Sequence, residues 1–159
     1  MTGQPVEIRR ARPEDGPVVR EFVFATLRAY GITPEPDGLD ADVVAFGSAA
    51  DPGSVELVAC LDGRPVGSVV VSEKRDGLAH LSKFFVHAHY RGRGIGRMLL
   101  QRAVAEASAM GYRQLDLETR SIYREAVHLY EATGWVRGPD LPDDYGPDRT
   151  YVLDLADAG

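Results

Sequence analysis

Arg91-Gly92-Arg93-Gly94-Ile95-Gly96-Arg97 separates two segments with different apolar periods. Before it, Ala79 to Val86 reads as a strand. After it, Ile95, Leu99, Ala103 and Ala107 recur every fourth residue, with Leu100 and Val104 beside them. That spacing predicts an amphipathic helix over Ile95–Met110, with Arg97, Gln101, Arg102 and Glu106 on its wet side and Gly111 at its end. Closely spaced glycines let successive backbone amides turn toward one point. A helix N-terminus adds unpaired N–H groups and a partial positive charge. Together they make a cradle for an anion such as a pyrophosphate, and Arg91, Arg93 and Arg97 can add charge-assisted contacts. Two other phosphate loops fail on spacing. A Walker loop needs Lys-Ser/Thr after its last glycine, and Gly96 is followed by Arg97-Met98. A dinucleotide fingerprint needs Gly-x-Gly-x-x-Gly, and here the glycines stand at 92, 94 and 96. The remaining alternative is a plain tight turn.

Working outward, Gln114 to Thr119 is the next strand, so strand, helix and strand form a β-α-β unit with two parallel strands. Upstream, Val55 to Leu61 ends at Asp62-Gly63, a hairpin turn signal, and Pro65 to Ser72 is its partner. Glu73 to Gly77 reads as a polar turn into Ala79–Val86, which completes an antiparallel meander. Val6 to Arg10 is a first strand. Pro13-Glu14-Asp15 opens a helix carried by Val18, Val19, Phe22, Val23, Thr26 and Leu27, closing near Gly31. Thr33 to Gly38 is a loop, and Leu39 to Phe46 a short helix with Asp40 as its cap. Downstream, Arg124 to Thr133 is a helix closed by Gly134. Trp135-Val136 opens a sixth strand, Gly138 to Asp148 is a loop, and Tyr151 to Leu155 is a seventh strand. The predicted fold is a single α/β domain over residues 1–159, with a mixed sheet of about seven strands and helices on both faces.

Composition limits the function classes. The chain has 159 residues, 44% hydrophobic and 26% charged, with a formal net charge of -6. That balance suits a globular domain and argues against general nucleic-acid binding. No run reaches the length of a membrane span, and the first residues lack a signal-peptide pattern, so a cytoplasmic, soluble protein is expected. The single cysteine, Cys60, falls in an apolar run and reads as a buried thiol. His87-x-His89 has no evident third metal ligand and reads as a pair of loop histidines, so no metal is expected.

The glycine stretch, matching Gln/Arg-x-x-Gly-x-Gly/Ala, resembles the cofactor motif of the GNAT superfamily of N-acetyltransferases. Phe84-Phe85-Val86-His87-Ala88-His89-Tyr90 is similar to the strand and Val-His-Pro-x-Tyr entry of that family, with Ala88 in the proline slot. Glu125-Ala126-Val127-His128-Leu129-Tyr130-Glu131 and Gly134-Trp135 resemble its Ala-x-x-Leu-Tyr-Glu-x-x-Gly-Phe helix. The resemblance implies acetyl-CoA as co-substrate. It implies that Phe84, Phe85 and Val86 pair with the pantetheine arm. It also implies that Arg91, Gly92, Arg93, Gly94, Ile95, Gly96 and Arg97 hold the pyrophosphate, chiefly through backbone N–H groups. Many relatives carry an asparagine that contacts the cofactor where this chain has Tyr123.

The implied reaction is acetylation of a primary amine on a small molecule, peptide or protein by direct attack on the thioester. A lysine-like amine must lose a proton first, which costs roughly 4 kcal/mol at neutral pH, whereas an α-amine costs under about 1 kcal/mol. Tyr130 matches the family tyrosine near the leaving sulfur and is the candidate acid; the alternative is a core aromatic. Glu118 is the candidate base, at a strand end where some relatives carry a functional glutamate; the alternative is an exposed strand-end charge. His80 could instead take the proton directly. His80, Glu73 and Tyr30 are candidate acceptor-site residues. Asp140, Asp143, Asp144 and Asp148, and Glu35, Asp37, Asp40 and Asp42, form acidic loops that could attract a cation or simply be solvated. Edge strands leave room for a homodimer. A CoA-binding sensor or interaction module without turnover is the alternative function.

Overall fold

The computed structural model describes residues 5–38, 40–48, 52–142 and 146–155. Leu39, Asp143 and Asp144 lie outside them. Seven strands form one sheet in the order β1-β2-β3-β4-β5-β7-β6. They are β1 (Glu7–Arg10), β2 (Val55–Leu61), β3 (Arg64–Arg75), β4 (Leu78–Val86), β5 (Gln114–Thr119), β6 (Val136–Arg137) and β7 (Arg149–Asp154). The helices are α1 (Gly16–Ala29), α2 (Ala41–Val44), α3 (Ile95–Ala109) and α4 (Arg124–Ala132). All strand pairs are antiparallel except β4 with β5, as the β-α-β reading requires.

The alternation of β2 explains why helices cover both faces. Leu57, Ala59 and Leu61 join a core with Ile95, Leu99, Ala103 and Ala107 of α3 and Val127 and Tyr130 of α4. Val58 and Cys60 face the other way, onto Val19, Phe22, Val23 and Leu27 of α1 and Val43 of α2. Because side chains alternate with a period of two along a strand, one short run serves two cores. Cys60 is buried, and burial pushes its thiol above the ordinary range.

Four local expectations change, the first being that the helix expected over 39–46 is confined to Ala41–Val44. Pro13–Asp15 is a 3₁₀ turn, and α1 begins after it. The Glu73–Gly77 turn is shorter than expected, because β3 continues to Arg75 and Glu73 pairs with Ala79. Asp40 stands at the α2 N-cap, but its carboxylate accepts from the Glu35 backbone N–H at 2.8 Å and makes no hydrogen bond to the helix. The hairpin at Asp62-Gly63 is as read: both residues have positive φ, 52° and 79°, the twist that a two-residue hairpin turn needs.

A buried ion pair ties β1 to the start of α1. Arg9 donates to both Asp15 carboxylate oxygens at 2.7 and 3.0 Å, and the Arg12 N–H donates at 2.7 Å. Burial pushes the Asp15 carboxyl up, but these hydrogen bonds and the Arg9 charge outweigh it and hold the group below its ordinary value. A lowered folded pKa contributes stability that is complete above the unfolded value, about 3.9, and is lost as pH falls below it. Asp15→Asn is therefore expected to cost about 3 kcal/mol at pH 7, since it leaves Arg9 without its counter-charge. In urea unfolding, the gap between the two proteins should narrow as pH falls below about 4.

Candidate active site

The β4–β5 ladder is short. Leu78, Ala79 and His80 pair with Gln114, Leu115 and Asp116, and there the register ends. Beyond it, β5 pairs only with β7, while β4 stays on β3. The strands separate, and the backbone of β4 after His80 faces the gap without a strand partner on that side. A bulge accompanies the separation: the β3–β4 register shifts between Ser68/Phe85 and Val70/Ser82, and Lys83 takes φ 52°. The Ser68 hydroxyl fixes the bulge by donating to the Lys83 carbonyl at 2.8 Å. A bulge of this kind bends a strand and re-aims the side chains beyond it.

One cleft runs along the gap to the glycine loop. It is lined by Phe84, Phe85 and Val86 of β4, by Arg91, Gly92, Gly94, Ile95, Gly96 and Arg97, and by Tyr123. The sequence singled out all of these. Gly92 and Gly94 both have φ 79°, and a Cβ built at either position meets nothing within 4 Å. They are glycines for backbone conformation, and the space before them is open. Gly94 is the N-cap of α3, so the first-turn amides of that helix have no carbonyl partners within it. Gly96 is different: a Cβ there would make ordinary contacts with Phe84, Val86 and Leu129 at 3.5 to 3.6 Å, so this position packs against β4 rather than facing open space. Arg91 is strapped in place, Nε to the Val86 carbonyl at 3.2 Å and Nη2 to the Thr26 hydroxyl at 3.4 Å. Arg93 does not line the cleft; its guanidinium lies 5.2 Å from the Tyr90 ring centroid, a cation–π distance.

A second cleft lies on the α1 side of the same gap. Phe84, Phe85, Tyr123 and Ala126 belong to both clefts, so the two meet at these residues. The second cleft adds His80, Ser82 and Lys83 of β4, Glu118 and Arg120 from β5 and its exit, Glu35 and Asp40 from the α1–α2 connection, and Tyr130. Glu118 is exposed on the rim. Tyr130 is only 4% exposed. Its ring is packed by Phe84, Trp135 and Tyr151, at 5.9, 5.7 and 5.6 Å between centroids, and burial pushes its phenol well above the ordinary value. Tyr30 lines the first cleft and meets Tyr123 edge-on at 4.9 Å. Burial pushes the Tyr123 phenol up, against the pull of Arg120. Glu73 lines neither cleft. It pairs with Ala79, whose side chain belongs to the α3-side core.

Sequence reasoning missed Thr26, Glu125 and His128 in the first cleft, and Lys83, Arg120 and Asp116 around the second. Asp116 had a usable signal: two residues before Glu118 on a strand, it must share that face. Thr26 had none, because it reaches the site only through the packing of α1. Among the described residues, no helix is long and apolar enough to cross a membrane.

Residues 20–135 match the family model of the acetyltransferase (GNAT) family. The chain is 25% identical over 134 residues to the uncharacterized N-acetyltransferase YjgM of Escherichia coli (strain K12), covering 80% of each protein. It is 38% identical over 94 residues to an IAA acetyltransferase of Azospirillum brasilense, 58% of this chain and 60% of that protein. Among solved structures, an acetyltransferase of the GNAT family from Staphylococcus aureus Mu50 superposes with a TM-score of 0.82 at 19% identity, over 95% of this chain and 99% of that one. The PaiA N-acetyltransferase of Thermoplasma acidophilum, in complex with coenzyme A, gives 0.76 at 19% identity over 95% and 99%. With the family model spanning residues 20–135 and the fold shared over 95% of the chain, the chain belongs to the GNAT family of acetyltransferases.

Proposed function

We propose that this protein transfers an acetyl group from acetyl-CoA to a primary amine that enters by the second cleft. The observation that carries the reading is the meeting of two clefts at a break in the sheet. One ends on the glycine-capped N-terminus of α3, and the other is lined by titratable side chains. The residues present fit coenzyme A. Gly92 and Gly94 leave open space before unpaired amides, which suits a pyrophosphate, and unpaired β4 backbone can pair with an amide-bearing arm. The coenzyme A held by the Thermoplasma neighbour, on the same fold, supports that donor. Acetyl-CoA supplies the activated thioester.

The chain's own residues supply position and proton handling. Arg91 and Arg97 add positive charge beside the amide cradle. Phe84 to Val86 align the acyl group against the second cleft, so that attack becomes effectively unimolecular. Tyr130 lines the second cleft and packs its ring on Phe84, one of the residues shared by both clefts, and it stabilises the departing sulfur. Its raised pKa keeps it neutral and able to donate. Glu118 and His80 both line the acceptor cleft, and either can take the amine's proton. Glu35, Asp40 and Glu118 give that cleft acidic side chains that favour a cationic acceptor, against Lys83 and Arg120.

The test is release of free thiol from acetyl-CoA against a panel of α-amines, aliphatic primary amines and peptide N-termini. Turnover with one class is the expected result. Tight CoA binding with no thiol release for any amine would instead assign the protein as a CoA-binding module.

A further inference from the structure

The last register pair of the β4–β5 ladder is His80 opposite Asp116. Residues directly opposite on neighbouring strands share a face, and here the side chains touch. His80 Nδ1 lies 2.7 Å from one Asp116 oxygen. The other oxygen accepts from Lys74 Nζ at 2.5 Å. Burial works against the Asp116 charge, but the hydrogen bonds from Lys74 and His80 outweigh it, so the carboxyl lies below its ordinary range. An ionised carboxylate only accepts. Nδ1 therefore carries a proton, and in the neutral ring Nε2 keeps its lone pair. The pair sits at the fork where the strands part, and His80 lines the acceptor cleft.

We infer that His80 and Asp116 form an imidazole–carboxylate pair that receives the proton of the acceptor amine, with Asp116 as the positioning residue. The inference rests on the acetyl-transfer reading above. In the balanced step, the amine lone pair forms the N–C bond to the acetyl carbon. The C–S bond breaks, and its electron pair leaves on sulfur. One proton of the nitrogen passes to His80 Nε2 and later to solvent. His80 lies about 10 Å along β4 from the Lys83 bulge at the strand rise per residue, so the proton crosses the cleft through water.

The charged groups around the ring come from every neighbouring element. Asp116 and Glu118 stand on β5, Lys83 on β4 and Lys74 on β3. Glu35 and Asp40 come from the α1–α2 connection, and Arg120 from the end of β5. Asp116 is the one among them bonded to the imidazole. Glu73 pairs with Ala79, so it takes the opposite face of the sheet.

Asp116→Asn tests the pair, because it keeps the shape and removes the charge. With an amine from the panel, kcat is expected to fall about tenfold or more, with KM for acetyl-CoA unchanged. Asp116→Glu should restore part of the rate. Ring ¹⁵N spectra, assigned with His80→Gln, should show His80 in the Nδ1–H form in the wild type and displaced from it in Asp116→Asn. A wild-type kcat together with an unchanged His80 tautomer in folded, CoA-binding Asp116→Asn would overturn the inference and leave acetyl transfer standing. Absence of turnover in the wild-type protein itself would remove both.

Discussion

Gly94→Val is expected to leave the fold standing and to weaken coenzyme A binding about a hundredfold, which is roughly 3 kcal/mol. Gly94 holds φ 79° at the N-cap of α3, and no atom lies within 4 Å of a Cβ built there. The cost of a side chain is therefore backbone strain and not a clash. A left-handed conformation costs a non-glycine residue roughly 1–2 kcal/mol, and a β-branched one resists it more. The chain can relieve that strain by rotating residue 94 out of the left-handed region, but the rotation swings the first-turn amides of α3 off their common target. Several backbone donors are lost together, which is why affinity should fall more than stability. Gly111→Val is the matched control. Gly111 stands just past the other end of the same helix with φ 92°, also with open space around its built Cβ. The two variants should lose similar amounts of Tm, a few degrees for about 1–2 kcal/mol, while Gly111→Val binds coenzyme A as the wild type does. Titration calorimetry beside thermal unfolding reads both quantities. Equal affinity in the two variants would mean that the amides of the cradle do not carry the pyrophosphate.

This division between conformation and contact also explains what could be read in the sequence. The elements were legible because each rests on a local rule: the fourfold recurrence from Ile95 to Ala107, the Asp62-Gly63 turn, and the Gly111 and Gly134 stops. The α3 boundaries were read to within a residue, since the glycines before and after it sit in the left-handed region. Errors fell where a tertiary partner overrides local preference. Glu73 looks like turn chemistry but is drawn into β3 by pairing with Ala79. Asp40 looks like a cap but spends its carboxylate on the Glu35 backbone. The site divides in the same way. The glycine loop is a contiguous string, so the first cleft was visible in one dimension. The second cleft is assembled from α1, β4, β5 and α4, and its organising event is the ladder stopping at His80 and Asp116. No local pattern encodes where two parallel strands part, because the bulge at Lys83 is stabilised from β3 by Ser68. Lys83 and Arg120 were therefore not singled out as site residues, whereas Asp116 shares the strand face of Glu118 and was legible from that spacing.

Tyr130→Phe is expected to lower kcat by about tenfold to a hundredfold while coenzyme A affinity and KM stay near wild type; one preorganised donor is worth that order of effect or more. The ring is held by Phe84, Trp135 and Tyr151, and phenylalanine keeps all three contacts, so the substitution removes one hydroxyl and little else. A core role and a chemical role then differ in what they predict for kcat. None of the described residues hydrogen-bonds this hydroxyl, and Tyr130 lines the second cleft, so its loss should leave Tm near the wild-type value. A simple packing role would lower neither kcat nor Tm. The pH dependence refines the part Tyr130 plays. Burial raises its pKa, so the phenolate is disfavoured, whereas a thiolate of ordinary pKa, about 8.5, is stable enough to leave unprotonated. Tyr130 should therefore act by donating a hydrogen bond to the sulfur as charge develops, not by surrendering its proton outright. On that account Tyr130→Phe reduces the rate by the same factor across the pH range and moves neither limb of the profile. The disappearance of an alkaline limb in the variant would show instead that Tyr130 titrates during turnover, and the proton inventory of the site would have to be redrawn with the phenol as a true acid.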